Sequence, residues 1–476
     1  MRPTTHAFPE NARRALADER LQKVLATATT GFVEKRRQAA ERLPEFEALR
    51  DQGRDLKNHV LANLDVYLEA FESRVVEQGG HVHWCRTDQE ARDAILAVCR
   101  KAGARTVTKG KSMIAEEIGI NDHLEANGLI PIETDLGEYI IQLRQEPPSH
   151  IIAPAIHLSK EDVAETFRAA HPELPPGRPM DDAKTLITEA RHVLRRKFQE
   201  AEVGITGANL MIAETGSTVI VTNEGNGDLT QILPRIHIVI ATIDKVVPTL
   251  EDATLMLRLL ARSATGQEAS AYTTVSTGPR RPGDADGPEE FHVVLLDNGR
   301  SALLGTEFQD VLRCIRCGAC MNHCPVYTKV GGHAFEAPYP GPIGSILMPQ
   351  MEGLGRRGEL PHACTMCNAC VEICPVRIPI VEIMGRLRAE AVHPGTAVKE
   401  AGARASRAEA LVWKGWATAY ASPLAYRFAT ALLARLGNAA PASLPLLRDW
   451  TNVRSKPRFA GRTLHELARE KGIPDV

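Results

Sequence analysis

Residues 314–325 read Cys-Ile-Arg-Cys-Gly-Ala-Cys-Met-Asn-His-Cys-Pro, and residues 364–375 read Cys-Thr-Met-Cys-Asn-Ala-Cys-Val-Glu-Ile-Cys-Pro. Both stretches follow the spacing C-x2-C-x2-C-x3-C-P, which is typical of proteins that hold cubane iron–sulfur clusters. The first three cysteines of such a run wrap around one face of a cluster. The fourth lies beyond a chain reversal and ligates the other cluster in two-cluster ferredoxins. Two copies therefore predict two [4Fe-4S] clusters.

The exchange of the fourth cysteine defines the predicted ligand sets. Cluster one takes Cys314, Cys317, Cys320 and Cys374, and cluster two takes Cys364, Cys367, Cys370 and Cys324. Structural zinc is the alternative, but zinc sites usually place two separated C-x2-C pairs around one tetrahedral ion. Three cysteines at successive two-residue gaps favour the clusters. The exchange also predicts that the two clusters lie close enough to exchange electrons.

Composition places the rest of the chain among ordinary globular proteins. The 476 residues are 43% hydrophobic and 24% charged, with a net charge of −2, which argues against a disordered chain and against a nucleic-acid-binding protein. No run of about 20 apolar residues is free of charges, and residues 1–10 contain no signal-peptide core, so we expect no transmembrane segment and a cytoplasmic location. The remaining cysteines, Cys85 and Cys99, are expected to be buried small hydrophobes.

The order of sequence patterns predicts four parts. Residues 1–75 show helical spacing of apolar residues, interrupted at Pro44, and predict two or three amphipathic helices. Residues 76–305 alternate strand and helix patterns, with strands expected at 81–84, 106–108, 211–213, 218–222 and 236–243, and a helix at 88–103 capped by Asp88. Residues 306–385 carry the cysteine motifs, and residues 386–476 predict a helical tail. The fold class is therefore α/β with helical additions.

Glycines and polar residues at strand ends mark a candidate ligand pocket in the α/β part, because such folds bind ligands there. The candidates are Lys109, Lys111, Gly204, Thr206, Gly207, Asn209, Glu214, Thr215 and Asn223. Surface lysines and ordinary tight turns are the alternatives. Residues 107–113 lack the first glycine of a P-loop, and the G-x-G-x-x-G match at Gly353 follows no strand and precedes Pro361, so no nucleotide-binding motif remains.

Two further groups of side chains allow two interpretations. Arg313, Arg316, His323 and Arg377 lie in or beside the cysteine motifs, where they either offset the charge of the clusters or are solvated surface groups. Trp413, Trp416 and Tyr420 recur at helical spacing in the tail. Core packing is favoured for these aromatic residues over an exposed docking stripe.

The chain resembles the lactate utilization protein B family of LUD-domain iron–sulfur proteins. The resemblance is carried by both cysteine motifs and by residues 43–51, 79–84, 109–121, 204–209, 213–216 and 283–294. It implies an α/β LUD domain of the sugar-phosphate isomerase and coenzyme A transferase type, followed by a two-cluster ferredoxin-like domain and a helical tail. It also implies a role in oxidising L-lactate to pyruvate with lactate utilization proteins A and C. No catalytic residue set is carried over.

Residues and resemblance together predict an iron–sulfur electron-transfer subunit of an L-lactate dehydrogenase complex, which passes electrons to an unknown acceptor. The alternative is that the LUD domain itself binds and oxidises the 2-hydroxy acid while the clusters drain the electrons. A third hypothesis makes the clusters structural or redox-sensing. Clusters that cannot be reversibly reduced would favour the third hypothesis, and lactate or pyruvate binding by the isolated chain would favour the second.

Overall fold

A computed structural model describes residues 7–393, 398–403, 406–441, 451 and 454–473, without the side chains of residues 28–30. The rest of the predicted helical tail, and residues 1–6, lie outside the described residues. The chain forms two compact units, Met1–Arg404 and Ala405–Val476. Within the described ranges, no helix is both long enough and apolar enough to cross a membrane.

In the described part of the first unit, ten strands form two sheets. They are β1 (His81–Cys85), β2 (Thr106–Lys109), β3 (Ile130–Glu133), β4 (Val203–Gly207), β5 (Leu210–Ile212), β6 (Ser217–Thr222), β7 (Ile236–Thr242), β8 (Val246–Val247), β9 (Tyr272–Ser276) and β10 (Glu290–Leu296). Six of them make a parallel sheet in the order β1-β10-β7-β4-β2-β3. Every residue of β7 is buried, as expected for a central strand covered by helices on both faces.

The second sheet is small and mixed, in the order β8-β5-β6-β9. Strand β5 pairs antiparallel with β6 and parallel with β8. The predicted strands at 81–84, 106–108, 211–213, 218–222 and 236–243 are all confirmed within one residue at each end. The division into two sheets was not predicted, because strands of two or three residues carry almost no periodicity.

Helices α1–α4 precede the sheets, and α5–α12 connect their strands. Their bounds are α1 (Phe8–Ala17), α2 (Glu19–Glu41), α3 (Phe46–Ala62), α4 (Leu64–Glu77), α5 (Asp88–Lys101), α6 (Met113–Ile118), α7 (Ile120–Ala126), α8 (Leu136–Arg144), α9 (Lys160–Ala170), α10 (Ala183–Glu200), α11 (Asn226–Ile232) and α12 (Leu250–Thr265). The N-terminal region thus contains four helices rather than two or three, and Pro44 separates α2 from α3. The cap of α5 is Thr87 and not Asp88, because the Thr87 hydroxyl accepts the backbone N–H of Glu90.

The cysteine motifs lie among short helices that share the core of the α/β part. These helices are α13 (Ala319–Asn322), α14 (Tyr327–Val330), α15 (Gly341–Glu352), α16 (Leu354–Arg357), α17 (Ala369–Glu372) and α18 (Ile380–Val392). One contiguous cluster of buried apolar side chains runs from the parallel sheet through the cysteine segment. Helices α2 and α3 pack against this segment as well. The cysteine segment is therefore built into the first unit, although the predicted division at 305 and 385 stays a prediction.

The second unit contains α19 (Arg407–Ala421), α20 (Pro423–Leu436) and α21 (Leu464–Glu470). Trp413, Trp416 and Tyr420 are each more than half exposed, at 59%, 53% and 57%. The expectation that they pack in a core is therefore wrong. They contact one another, with the rings of Trp416 and Tyr420 stacked at a centroid distance of 4.6 Å.

Candidate functional site

The two cysteine motifs fold into the same loop. Arg316 and Met366 are the third residues of the two motifs, and both adopt a φ of 60°. The fifth residues, Gly318 and Asn368, also have a left-handed backbone conformation. This conformation turns a backbone N–H towards the first sulfur of each motif: Arg316 N lies 3.4 Å from Cys314 Sγ, and Met366 N lies 3.3 Å from Cys364 Sγ. Such N–H···S bonds stabilise negative charge on the sulfur atoms.

The fourth cysteine of each motif lies by the first cysteines of the other. Burial raises the pKa of the Cys317 thiol to about 12, and the charges of Cys374 and Cys314 add to the shift. Burial likewise raises the pKa of Cys324, with contributions from Cys364 and Cys367. The N–H groups of Tyr327 and Ile378 point to Cys324 Sγ and Cys374 Sγ at 3.5 Å and 3.4 Å. These are the neighbours that the exchanged ligand sets require, and the assignment of the sets stays a prediction.

The spacing of the sulfur atoms suits a cluster better than a single ion. All eight motif cysteines are described, and among them no three sulfur atoms lie within 4.8 Å of one another. Four thiolates on one tetrahedral zinc, with bonds of about 2.3 Å, would lie about 3.8 Å apart. Thiolates that bind separate iron atoms of a cubane do not have to lie that close together.

The two ligand sets differ in exposure. In the first set, Cys317, Cys320 and Cys374 are buried and Cys314 is partly buried. In the second set Cys367 is exposed, and residues 365–368 around it are exposed as well. One set thus lies inside the protein and the other reaches its surface.

Cationic side chains surround the buried set, and most come from other elements. From α3, Arg50 donates to Cys374 O at 2.9 Å, and from α2, Arg36 donates to Ile373 O at 2.9 Å. Of the four candidates near the motifs, Arg313 pairs with Asp310, and Arg377 pairs with Glu47 and Asp51. Burial lowers the pKa of His323, which keeps this ring neutral. Of these four candidates, only Arg316 is buried without a carboxylate within 4 Å among the described residues.

Four of the nine candidate pocket residues line one cavity of about 170 Å³. These are Lys111, Gly207, Asn209 and Asn223. The same cavity is lined by Lys245, which follows β7, and by Arg316 from the first cysteine loop. Burial lowers the pKa of Lys245 to about 8, so the ammonium form still predominates at neutral pH. Sequence reasoning missed Lys245, because a lysine after an apolar strand resembles an ordinary strand end.

The other five candidates lie elsewhere. Glu214 and Thr215 line a second, more open cavity of about 840 Å³, where Glu214 accepts the N–H of Leu250 and caps α12. Thr206 is buried and bonded to the His237 ring at 2.8 Å. A Cβ at Gly204 would lie 1.9 Å from Thr230 O, so this glycine allows α11 to pack on β4. These residues serve packing and capping instead of the predicted common pocket.

Lys109 is also not a pocket residue. Its side chain is completely buried, and its ammonium contacts Glu133 at 2.7 Å and Glu116 at 3.1 Å. Glu138 completes a group of three carboxylates whose oxygens lie within 4.8 Å of one another. Because the lysine already supplies the positive charge, this group is a structural ion cluster.

Cys85 and Cys99, outside the motifs, are buried as expected. Burial raises the pKa of Cys85 to about 11 and that of Cys99 to about 12. Both thiols are therefore inert small side chains of the core.

Family models match three parts of the chain. The LUD domain matches residues 68–296, the 4Fe-4S dicluster domain residues 310–378, and the model of the C-terminal region of lactate utilisation protein B residues 386–473. These matches confirm the predicted fold class and an iron–sulfur cofactor.

Curated relatives match almost the whole chain. Lactate utilization protein B of Bacillus velezensis is 41% identical over 96% of this chain and 95% of its own length. Lactate utilization protein B of Bacillus subtilis is 39% identical over 99% of both. An uncharacterized electron transport protein of Escherichia coli is 40% identical over 96% of this chain and 95% of its own length. Among solved structures, a DUF162 family protein from Deinococcus radiodurans covers 49% of this chain and 98% of its own, with a TM-score of 0.28 and 16% identity.

Proposed function

The chain belongs to the lactate utilization protein B family, and we propose that it is an electron-transfer component that holds two [4Fe-4S] clusters in a system oxidising L-lactate to pyruvate. The observation that carries this proposal is the pair of identically folded cysteine loops, each with the fourth cysteine of the other beside it. The names of the relatives support lactate utilization and electron transport as its setting.

The chemistry of the substrate fits a component with two redox centres. Oxidation of L-lactate to pyruvate releases two electrons and two protons. Each [4Fe-4S] cluster, when bound, exchanges one electron at a time. Cys314, Cys317, Cys320 and Cys374 would hold one cluster, and Cys364, Cys367, Cys370 and Cys324 the other.

The protein's own groups give the two sets different tasks. Around the buried set, the N–H of Arg316 and the guanidinium groups of Arg36 and Arg50 supply positive charge that stabilises added electrons. Around the surface set, the exposed loop at 365–368 offers a contact point for another protein. The exposed loop supports the surface set as the place where electrons pass between this chain and another protein.

The proposed partners are lactate utilization proteins A and C and an electron acceptor of unknown identity. The expected cytoplasmic location remains a prediction. No residue of the chain is assigned a catalytic role, so the step that breaks the C–H bond of lactate is attributed to the assembled system.

Growth on L-lactate tests the proposal. The host lacks its own gene for this protein. In it, we expect the double variant Cys317→Ser, Cys367→Ser to abolish growth on L-lactate. Cys99→Ser, the same change at a buried cysteine outside the motifs, should leave growth unchanged. Circular dichroism of the purified variants checks that they are folded. Because Cys367 is exposed, Cys367→Ser alone provides a variant whose core is intact. Undiminished growth with iron-free protein would contradict the proposal.

A further inference from the structure

The small cavity between the LUD domain and the first cysteine loop has features of a binding site for an anion. It lies where Lys111 follows strand β2 and Gly207 ends strand β4, and Arg316 from the cysteine segment forms part of its wall. We propose that this cavity binds the carboxylate of a small organic acid and holds the acid beside the loop that carries Cys314. The choice of a 2-hydroxy or 2-oxo acid rests on the proposed function.

The first observation is Lys245. Its side chain is only 4% exposed, and it lines the cavity. Among the described residues, it makes no ion pair within 4 Å and no hydrogen bond through its ammonium group. A buried ammonium is strongly unfavourable unless an anion compensates it. Asp244 and Cys314 act on Lys245 without a direct contact, so the cavity is where an anion could contact the ammonium itself.

The second observation is Arg316. Its guanidinium lies 4.7 Å from the ring centre of Tyr339 and next to the Cys314 thiol, and the residue lines the cavity. Guanidinium groups bind carboxylates through charge-assisted hydrogen bonds. Arg316 belongs to the loop between Cys314 and Cys317, so an acid bound by it would lie next to the buried ligand set.

The third observation is a local excess of positive charge. Four cationic side chains lower the pKa of the Asp244 carboxyl group: Lys57, Lys245, Arg300 and Arg316. Arg300 is also held by Glu117 through two bonds, of 3.0 Å and 2.6 Å. Four cations thus meet two carboxylates, and Cys314, with the negative cluster it would help to hold, is a further anionic neighbour of Lys245 and Arg316.

A network behind the cavity fixes the two cations. The Tyr339 hydroxyl donates a hydrogen bond to Glu117 at 2.7 Å, and the Tyr339 ring makes a cation–π contact with the Arg316 guanidinium. Arg300 lies 3.2 Å from Asp244, the neighbour of Lys245 in the sequence. Binding groups held in place before the ligand arrives lose less entropy on binding.

The cavity's size and remaining walls select the class of acid. At about 170 Å³ it is smaller than the roughly 300–1,000 Å³ of typical sites for drug-sized ligands. Ile220 and Leu260 provide an apolar wall, and the Asn209 amide provides a polar one. Lys111 lies 3.6 Å from Asp135, so this lysine adds little net charge. The combination suits an acid with a short carbon chain and one further oxygen.

Calorimetric titration of the full chain, loaded anaerobically with iron and sulfide, tests the inference. The probes are L-lactate and pyruvate, with L-lactamide as the neutral analogue. We expect saturable binding of at least one of the two acids, and none of lactamide. Lys245→Met and Arg316→Met should each weaken binding at least tenfold. Arg281→Met, which removes a cation from the wall of the larger cavity, is the matched control and should bind as the unaltered chain does.

The Arg316→Met variant is designed to fold. The chain itself places Met366 at the same position of the second loop, with the same φ of 60°. Iron content and circular dichroism of each variant accompany its titration. The inference would be overturned if the unaltered chain bound neither acid saturably, or if it bound lactamide as tightly as lactate. It would also be overturned if Lys245→Met left the affinity unchanged or if Arg281→Met weakened binding.

The same samples separate this inference from the proposed function. Reduction with dithionite and reoxidation are followed by electron paramagnetic resonance. Reversible reduction without acid binding would overturn the site and leave the electron-transfer role intact. Acid binding without reversible reduction would support the site and contradict that role.

Discussion

Glu138 shows what burial does to a single carboxyl group. It is almost completely inaccessible, and its Oε1 has no hydrogen-bond partner among the described residues. Burial, together with the charges of Glu116 and Glu133, raises its pKa well above 4.5. The folded protein therefore keeps a proton that the unfolded chain releases, so this group's contribution to stability is complete below about pH 4.5 and is lost as the pH rises towards the folded pKa.

Glu138→Gln should remove this dependence on pH, because glutamine does not ionise. We expect the variant's melting temperature to exceed that of the unaltered chain, by more at pH 8.5 than at pH 6. Scanning calorimetry at the two pH values measures the difference. An increase that is equal at both values, or larger at pH 6, would show that the carboxyl group is not buried as described.

Lys109→Met should have the opposite effect. The change leaves Glu133 and its neighbours without their cation, and removing one partner of a buried ion pair costs about 3–5 kcal/mol. Urea denaturation measures the loss in free energy of unfolding. Lys101→Met serves as the control, because Lys101 is an exposed lysine with a weak contact to Glu290. Equal stability of Lys109→Met and this control would contradict a buried cluster.

At the scale of elements, each cysteine loop depends on the other. Cys324 belongs to the first motif in the sequence but lies by Cys364 and Cys367. Cys324→Ser should therefore disturb the second, exposed cluster and leave the spectrum of the first. Electron paramagnetic resonance of the reduced variant, compared with Cys99→Ser, tests this expectation. Cys314→Ser marks the signal of the first cluster. If Cys324→Ser removed that same signal, each motif would bind its own cluster and the expectation would be wrong.

The elements also show what sequence can and cannot predict. Strands β1, β2 and β7 and the iron–sulfur domain were predictable, because periodicity and cysteine spacing are local properties of the sequence. Arg36, Arg50 and Lys245 were not, since helices α2 and α3 and the end of β7 reach the buried set only through tertiary packing. Lys109 was misassigned, because a lysine after a strand looks the same in sequence whether it faces a ligand or a buried glutamate.

At the scale of the first unit, exposure distinguishes the two ligand sets. The loop at 365–368 is exposed, whereas three of the four cysteines of the other set are buried. A bulky, charged iron chelator should therefore remove iron first from the set that includes Cys367. Chelation followed by absorbance, with paramagnetic resonance of partly depleted samples, identifies the cluster that remains. Equal loss from both sets would contradict the predicted order of buried and surface centres.

The most direct test of the electron-transfer role is reduction by the substrate. The loaded chain is mixed anaerobically with L-lactate and the proposed partners, lactate utilization proteins A and C, and followed by electron paramagnetic resonance. The proposal predicts the same reduced-cluster signals that dithionite produces, and their disappearance when an oxidant is added. Signals that appear with dithionite but never with L-lactate and both partners would contradict a place for this chain in the path of electrons from lactate.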